Sequence, residues 1–288
     1  MKVKSFAKIN LGLEIVGKRP DGYHDIRTLF QSISLADEIT LVRAADGVLD
    51  LAGDDASIPW DERNIIAKAV RLLRERTGTR RGAAIRVEKR IPAGRGLAGG
   101  SSNAATVLRA LDGLWELGLA PDELATLALA AGSDVPYFLH GGLCLGEGRG
   151  EELTRLRDLA PLACVLAVPD YEISTAAVYA GVGTSLTSGG KASKIMRFLE
   201  TGDFGLLEND LETVIFRSHP ELDGIKESFR NQGARLAMVS GSGSAVYGLF
   251  PDRERAREAV ERMVGGTAAL LAETLPGEEF RAQAGAGV

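Results

Sequence analysis

Apolar residues fall at alternate positions near the start of the chain. Val3, Ile9, Leu11, Leu13 and Ile15 share one side of residues 3–16, which predicts a β-strand. Lys18 to Gly22 is turn chemistry, with Pro20 presetting φ and Gly22 free to take positive φ. A second strand, Ile26 to Ile33, should pair back on the first. Glu38 to Val42 and Val48 to Leu51 read as two more strands. After the polar loop Asp54–Glu62 the period changes to 3.6. Ile65, Ile66, Ala69, Val70 and Leu73 form one stripe, opened near Asn64 and stopped by Gly78.

A strand over 84–91 then meets a glycine-rich loop, and the loop runs straight into a helix. Ala104, Val107, Leu108, Leu111 and Leu114 line one face of that helix, which ends near Gly118. Pro121 opens another helix as its first residue, and Gly132 closes it. Ser133 to Pro136 looks like a fresh helix start, and Gly141-Gly142 turns into a strand at 143–147. Charge dominates from Leu153 to Ala160 and Pro161 follows, which marks a boundary between two units.

The second unit opens on a buried strand, Ala163 to Val168, and Ser174 caps a short helix through Tyr179. Residues 181–191 are rich in Gly, Ser and Thr, so a mobile loop is expected there. Helical patterns cover about 191–200, 204–216 and 221–231. A hairpin, Ala234–Val239 and Ala245–Phe250, turns through Ser240-Gly-Ser-Gly-Ser244, and a helix follows at 252–264. The end, from Ala282, reads as a small flexible tail. Strands, hairpins and helices are intermixed, so both halves read as α+β rather than doubly wound.

Composition narrows the function classes. The chain has 288 residues, enough for one large domain or two ordinary ones. A net charge of -5 argues against a general nucleic-acid binder. No apolar run approaches the ~20 residues that span a bilayer. The N-terminal residues enter a strand pattern directly, with no signal h-region, so the cytoplasm is the expected location. Cys144 and Cys164 sit in apolar runs and are expected as buried reduced thiols. His24, His140 and His219 are scattered, there is no CxxC, and no metal-ligand spacing appears.

The stretch Pro92-Ala-Gly-Arg-Gly-Leu-Ala-Gly-Gly-Ser-Ser-Asn103 carries the clearest chemistry. Glycines allow positive φ and close approach of backbone to ligand. Free N–H groups at the new helix start, with its dipole, attract anions, and Ser101 and Ser102 add donors. Phosphate suits this arrangement best. The spelling Gly94-x-Gly96-x-x-Gly99 matches a dinucleotide fingerprint, but the acid expected about 20 residues on is absent, and Asp112 lies inside the helix. A Walker loop would need a lysine after its glycines, and a protein-kinase loop would join two strands. A plain helix cap needs one Ser or Asn, far less than this.

Four other features bear on the site. Lys8 and Asn10 share a face of the first strand, where a lysine is ordinarily a solvated charge. Tyr23-His24 follows a turn, able to stack on and hydrogen-bond a base, or to be an ordinary turn flank. Asp134 in Gly132-Ser-Asp-Val-Pro136 is either a helix cap or a carboxylate that orients an attacking hydroxyl in phosphoryl transfer. Ser240–Ser244 is either a flexible hairpin or a second set of N–H groups for an anion.

These motifs together resemble the GHMP small-molecule kinases, a family of galacto-, homoserine, mevalonate and phosphomevalonate kinases. The resemblance covers nearly the whole chain. It rests on Ala7-Lys-Ile-Asn-Leu11, Arg19-Pro-Asp-Gly-Tyr-His24, Gly99-Gly-Ser-Ser-Asn103, Gly132–Pro136 and Ser240–Ser244. The first two resemble those members that act on a cytidine diphospho-sugar alcohol. The resemblance implies a two-domain fold. Residues 1–156 would be a ribosomal-protein-S5-like, ATP-binding domain, and residues 157–288 a ferredoxin-like domain contributing to the substrate site.

It also implies roles. Lys8 and Asp134 would be catalytic. Pro92, Gly94, Gly96, Leu97, Gly99, Gly100, Ser101, Ser102 and Asn103 would hold ATP, with Asn64 near the adenosine. Asn10, Tyr23, His24, Thr175, Tyr179, Gly241 and Ser242 would hold substrate, with Tyr23 and Tyr179 on opposite faces of the cytosine. Mg²⁺ would bridge the phosphates, with either Ser101 or Ser102 as a ligand. The implied reaction transfers the γ-phosphate to the 2-hydroxyl of the sugar alcohol, in non-mevalonate isoprenoid precursor synthesis. Two alternatives stand beside it, another kinase of the family (homoserine or mevalonate type) and a non-catalytic nucleotide sensor on the same fold. One departure is notable. Ala98 stands where the family usually has glycine, and an ordinary φ is expected there. Arg95 is larger than the small residue usual at its position, and is expected either on phosphate or in solvent.

Overall fold

The computed structural model describes residues 1–183, 193–263 and 267–285. Most of the loop expected over 181–191 therefore lies outside the described residues. The first half is built on β1 (Lys2–Lys18), β2 (His24–Ala44), β3 (Leu49–Gly53), β4 (Gly82–Glu88), β5 (Leu143–Glu147) and β6 (Glu152–Arg155). Its helices are α1 (Ile65–Thr77), α2 (Gly99–Trp115), α3 (Pro121–Ala131) and α4 (Tyr137–His140). The second half has β7 (Ala163–Val168), α5 (Thr175–Ala180), α6 (Lys194–Thr201), α7 (Glu212–Ser218) and α8 (Pro220–Asn231). After these come β8 (Leu236–Val239), β9 (Val246–Phe250), α9 (Arg253–Glu261), β10 (Ala268–Glu273) and α10 (Gly277–Gln283).

The two strands expected at 26–33 and 38–42 are one continuous strand. β2 stays extended because β1 pairs with it antiparallel from Lys18↔His24 to Lys2↔Thr40. Its two halves then find different partners on the other edge, β5 for Thr28–Gln31 and β4 for Glu38–Ala44. The helix expected over 204–216 is broken. Only Phe204–Leu206 and α7 are helical, because Glu208–Asp210 is pulled across to β1. The second sheet runs β10-β7-β9-β8 and is antiparallel throughout, which is ferredoxin-like connectivity.

Asn64 caps α1 by accepting from the Ile66 N–H, and Gly78 ends it at φ 69°. The α1 stripe, Ile66, Val70 and Leu73, is buried against α2 and the first sheet. A second core lies between the two sheets, where Ile9, Leu11 and Leu29 meet Leu166, Tyr247 and Leu249. Each such side chain contributes about 1.5–3 kcal/mol on burial. This core holds the sheets face to face and opens a cleft along one side. The tail read as flexible from Ala282 is ordered over its first residues, where α10 runs to Gln283 and the buried Ala284 donates its N–H to the Phe280 carbonyl, and residues 286–288 lie outside the described ones. Just before it, Leu275 N–H bonds the Ser32 carbonyl, and Phe280 of α10 packs 5.5 Å from Phe6 in the first core.

Candidate active site

Strand parity aims the first two site residues. Ile9 and Leu11 point into the core between the sheets, so Lys8 and Asn10 face the cleft. The Lys8 ammonium donates to Asn10 Oδ1 at 2.6 Å and to the Gly96 carbonyl at 2.9 Å. It also stands 5.6 Å from the centre of the Phe30 ring. Asn10 in turn donates to Thr28 Oγ1, and its own carbonyl accepts from the Tyr247 hydroxyl at 2.8 Å. Burial pulls the Lys8 ammonium below the ordinary 10.5, and the charge of Asp134 pulls the other way.

Gly94, Gly96 and Ala98 take φ of 67°, 77° and 53° in turn. Gly96 must be glycine for a second reason, because a Cβ there would overlap the Ser240 backbone carbonyl, whereas one on Gly94 would meet only the movable end of the exposed Glu172 side chain. Ala98 has the left-handed backbone that sequence reading did not expect. It precedes the first residue of α2, where the chain must reverse to aim the helix N–H groups into the cleft. Alanine carries that conformation at about 1 kcal/mol or more relative to glycine.

The loop is fixed from behind by a buried polar network. Asp37, fully buried, pairs with Lys89 and accepts from the backbone N–H of Arg90 and Ile91 at 2.7 and 2.8 Å. Asn103 donates to Asp37 and to Ser5 Oγ, and Ser5 shares a hydrogen bond with Ser102. Ser102 therefore faces the interior, whereas Ser101 lines the cleft. Arg95 lines the cleft beside Gly94 and Gly96, with its side chain mostly buried rather than in open solvent. Its Nε donates to the Pro169 carbonyl and its guanidinium lies 3.5 Å from Glu172, tying the loop to the second sheet.

Asp134 sits in the turn between α3 and α4, half-buried. It is not the cap of α4, since Pro136 holds that position. His24 stacks on Tyr179, with ring centres 5.5 Å apart. Burial and the nearby Asp134 charge raise the Tyr179 phenol. Tyr23 is exposed, and the Arg149 guanidinium stands 5.1 Å over its ring. Thr175 and Ser242 share a hydrogen bond of 2.7 Å.

One cleft of about 700 Å³ brings most of the expected residues together. Lys8, Asn10, Asn64, Gly94, Gly96, Gly99, Gly100, Ser101, Asn103, Asp134, Thr175, Tyr179, Gly241 and Ser242 all line it. Five expected residues do not. Leu97 is in the core between the sheets, and Ser102 faces Ser5. Pro92 lines an adjoining groove, His24 is buried behind Tyr179, and Tyr23 stands outside the wall. Asn64 lines the cleft with its amide already engaged, accepting from Ile66 N–H and donating to the Pro59 carbonyl. Sequence reading missed Arg149, Lys89 and Trp60, which also line the cleft. Arg149 had a signal, a lone cation between two glycines. Trp60 lay in a stretch read only as a loop.

The chain matches the family model described as GHMP kinases N terminal domain over residues 64–142. It matches that described as GHMP kinases C terminal over residues 194–266. The chain belongs to the GHMP kinase family. It is accordingly an ATP-dependent small-molecule kinase. A relative from Shouchella clausii, named 4-diphosphocytidyl-2-C-methyl-D-erythritol kinase, is 41% identical over 88% of this chain and 86% of its own. A crystal structure of 4-(cytidine 5'-diphospho)-2C-methyl-D-erythritol kinase superposes with a TM-score of 0.82 at 36% identity, covering 95% of this chain and 98% of that one. Homoserine kinase from Cytophaga hutchinsonii shares the GHMP fold, with a TM-score of 0.70 at 18% identity over 97% of this chain and 96% of its own. Among the described residues no helix of this GHMP kinase is long and apolar enough to cross a membrane.

Proposed function

We propose that this GHMP kinase transfers the γ-phosphate of ATP to the 2-hydroxyl of 4-diphosphocytidyl-2-C-methyl-D-erythritol. One observation carries the reading. The glycine loop, the Lys8–Asn10 pair, Asp134, Arg149 and Tyr179 all line a single cleft, so a nucleotide cradle and an aromatic-cationic pocket share one space. The relative from Shouchella clausii and the superposed crystal structure support the same substrate by name.

In this reading the loop and the α2 N-terminus hold the phosphates. Phosphoryl transfer passes through a loose transition state, so positioning and charge do most of the work. Lys8 supplies charge at the cradle while Asp134 orients the 2-hydroxyl. Asp134 takes the proton late, because a carboxylate is a weak base and little nucleophile activation is needed. The cytosine lies against Tyr179, which His24 backs, with Tyr23 and Arg149 at the rim. Asn10, Thr175, Gly241 and Ser242 line the space for the sugar alcohol and its diphosphate.

Among the described residues no three His, Cys, Asp or Glu side chains form a metal cage. Mg²⁺ fits without one, because it keeps several waters and uses one or two protein oxygens with substrate phosphates. Ser101 and Asp134 are the cleft residues that would hold it. When bound, it neutralises charge on the transferring phosphoryl group.

The test is phosphorylation with ATP and the cytidine diphospho-sugar alcohol, beside homoserine and mevalonate. Turnover of the first alone is expected. Faster turnover of homoserine or mevalonate, or none of any, overturns the reading.

A further inference from the structure

The hairpin loop 240–244 touches the reacting end of the cleft with its backbone. Gly241 stands so close to the strand residues that a Cβ there would lie 3.1 Å from Asn10 Oδ1 and 3.6 Å from Lys8 Nζ. Ser240 Oγ donates to the Gly96 carbonyl at 2.9 Å, the same oxygen that accepts from Lys8. The loop thus sets where the Gly96 carbonyl and the Lys8 ammonium meet.

One buried side chain holds this loop from outside the cleft. Asn209 is 3% exposed. Its Nδ2 donates to the carbonyls of Val239 at 3.0 Å and Gly241 at 2.8 Å, and its Oδ1 accepts from the Leu211 N–H. The segment that carries Asn209 is itself bound to β1. Leu13 N–H bonds the Glu208 carbonyl, Asp210 N–H bonds the Leu13 carbonyl, and Ile15 N–H bonds the Asp210 carboxylate at 2.7 Å. Residues 208–210 therefore form a strut between the strand bearing Lys8 and the loop facing it.

We propose that Asn209 is a positioning residue for phosphoryl transfer, pinning the 240–244 loop so that Gly96, Lys8 and Asn10 keep their reactive arrangement. Asn209 touches no reacting group. It acts through Gly241 and Ser240.

A purely structural role is the alternative, because β8 is a four-residue edge strand that needs its edge closed. Glu212 separates the two. It too closes that edge, accepting from the Val239 N–H at 2.8 Å and pairing with buried Lys226. It makes no bond to the loop beyond Val239.

The inference rests on the kinase reading above. Wild-type turnover tests that reading by itself, and the inference is read only from ratios of variant to wild type on whichever acceptor the wild type uses. The experiment compares Asn209→Ala, Asn209→Asp and Glu212→Gln with wild type in kcat, KM for both substrates, and thermal unfolding. Asn209→Asp keeps the shape and the acceptor for Leu211 but loses both donations. Misplacing reacting groups by an ångström costs up to about a hundredfold. Both Asn209 variants are therefore expected to lose about tenfold or more in kcat, with each KM within about threefold. Glu212→Gln is expected to lose thermal stability and keep kcat within about twofold. A kcat within about twofold of wild type in either Asn209 variant, or an equal kcat loss in Glu212→Gln, overturns the proposal. Should the Asn209 variants not fold, Ser240→Ala cuts the next link. A kcat loss of about threefold or more is then expected, and an unchanged kcat overturns the proposal.

Discussion

Lys8 donates to the carbonyl of Gly96 at 2.9 Å, so the cation of the first strand and the glycine loop share a hydrogen bond across 88 positions of chain. The ammonium is buried and its pKa lies below 10.5. Activity should fall as pH rises through that lowered value, giving an alkaline limb of kcat below 10.5. Stability moves the other way. The unfolded chain holds this proton more tightly than the folded one, so between the folded value and 10.5 the Lys8 contribution to stability rises with pH. Denaturation of wild type and Lys8→Met across that window should show wild type gaining on the variant. A limb at or above 10.5 counts against a buried working cation.

Asp134 acts on Lys8 by charge while the ammonium gives its hydrogen bonds to Asn10 and Gly96. Asp134→Asn keeps the shape and removes the charge. Phosphoryl transfer should fall about a hundredfold or more, with the melting temperature nearly unchanged. A loss of about threefold or less removes Asp134 from the mechanism.

Ala98 holds φ at 53°. Ala98→Gly relieves that strain but loosens the unfolded chain, for a net gain of about 0.5–1 kcal/mol. Chemical denaturation should show the gain, with KM for ATP unchanged. Ala98→Val should lose stability, since a β-branched residue is worse in that region. A destabilised Ala98→Gly disproves the strain.

Tyr23 carries the Arg149 guanidinium over one face, and His24 backs Tyr179. Base stacking on one aromatic is worth about 1–3 kcal/mol. Tyr179→Ala and Tyr23→Ala should each raise KM for the cytidine substrate about tenfold and leave KM for ATP alone. Equal rises in both would mean that neither ring reads the cytosine.

Much of the site was legible because its parts are local. A strand, a glycine loop and a helix written consecutively must place N–H groups at the helix start, whatever the rest of the chain does. The Asn64 cap, the Gly78 stop and the bounds of β5 and β7 were legible for the same reason. The inward turn of Ser102 was not. Ser101 and Ser102 are chemically alike, and only the packing of α2 against Ser5 decides which one reaches the cleft.

The sequence by itself determined which faces are apolar, where the backbone can turn left-handed, and which short motifs bring charge and glycine together. Periodicity and turn chemistry act over a few residues, so they need no partner to be read. The tertiary structure alone decided the rest. Asp37 meets Lys89, Arg149 covers Tyr23, Asn209 pins Gly241, and α10 returns to Phe6, each across a long stretch of chain. Such contacts depend on how two sheets close on a shared core, and no local pattern encodes that closure. Ala98 shows the same division at a single residue. Its side chain argued for an ordinary backbone, and the turn of the loop into α2 holds it in a left-handed one.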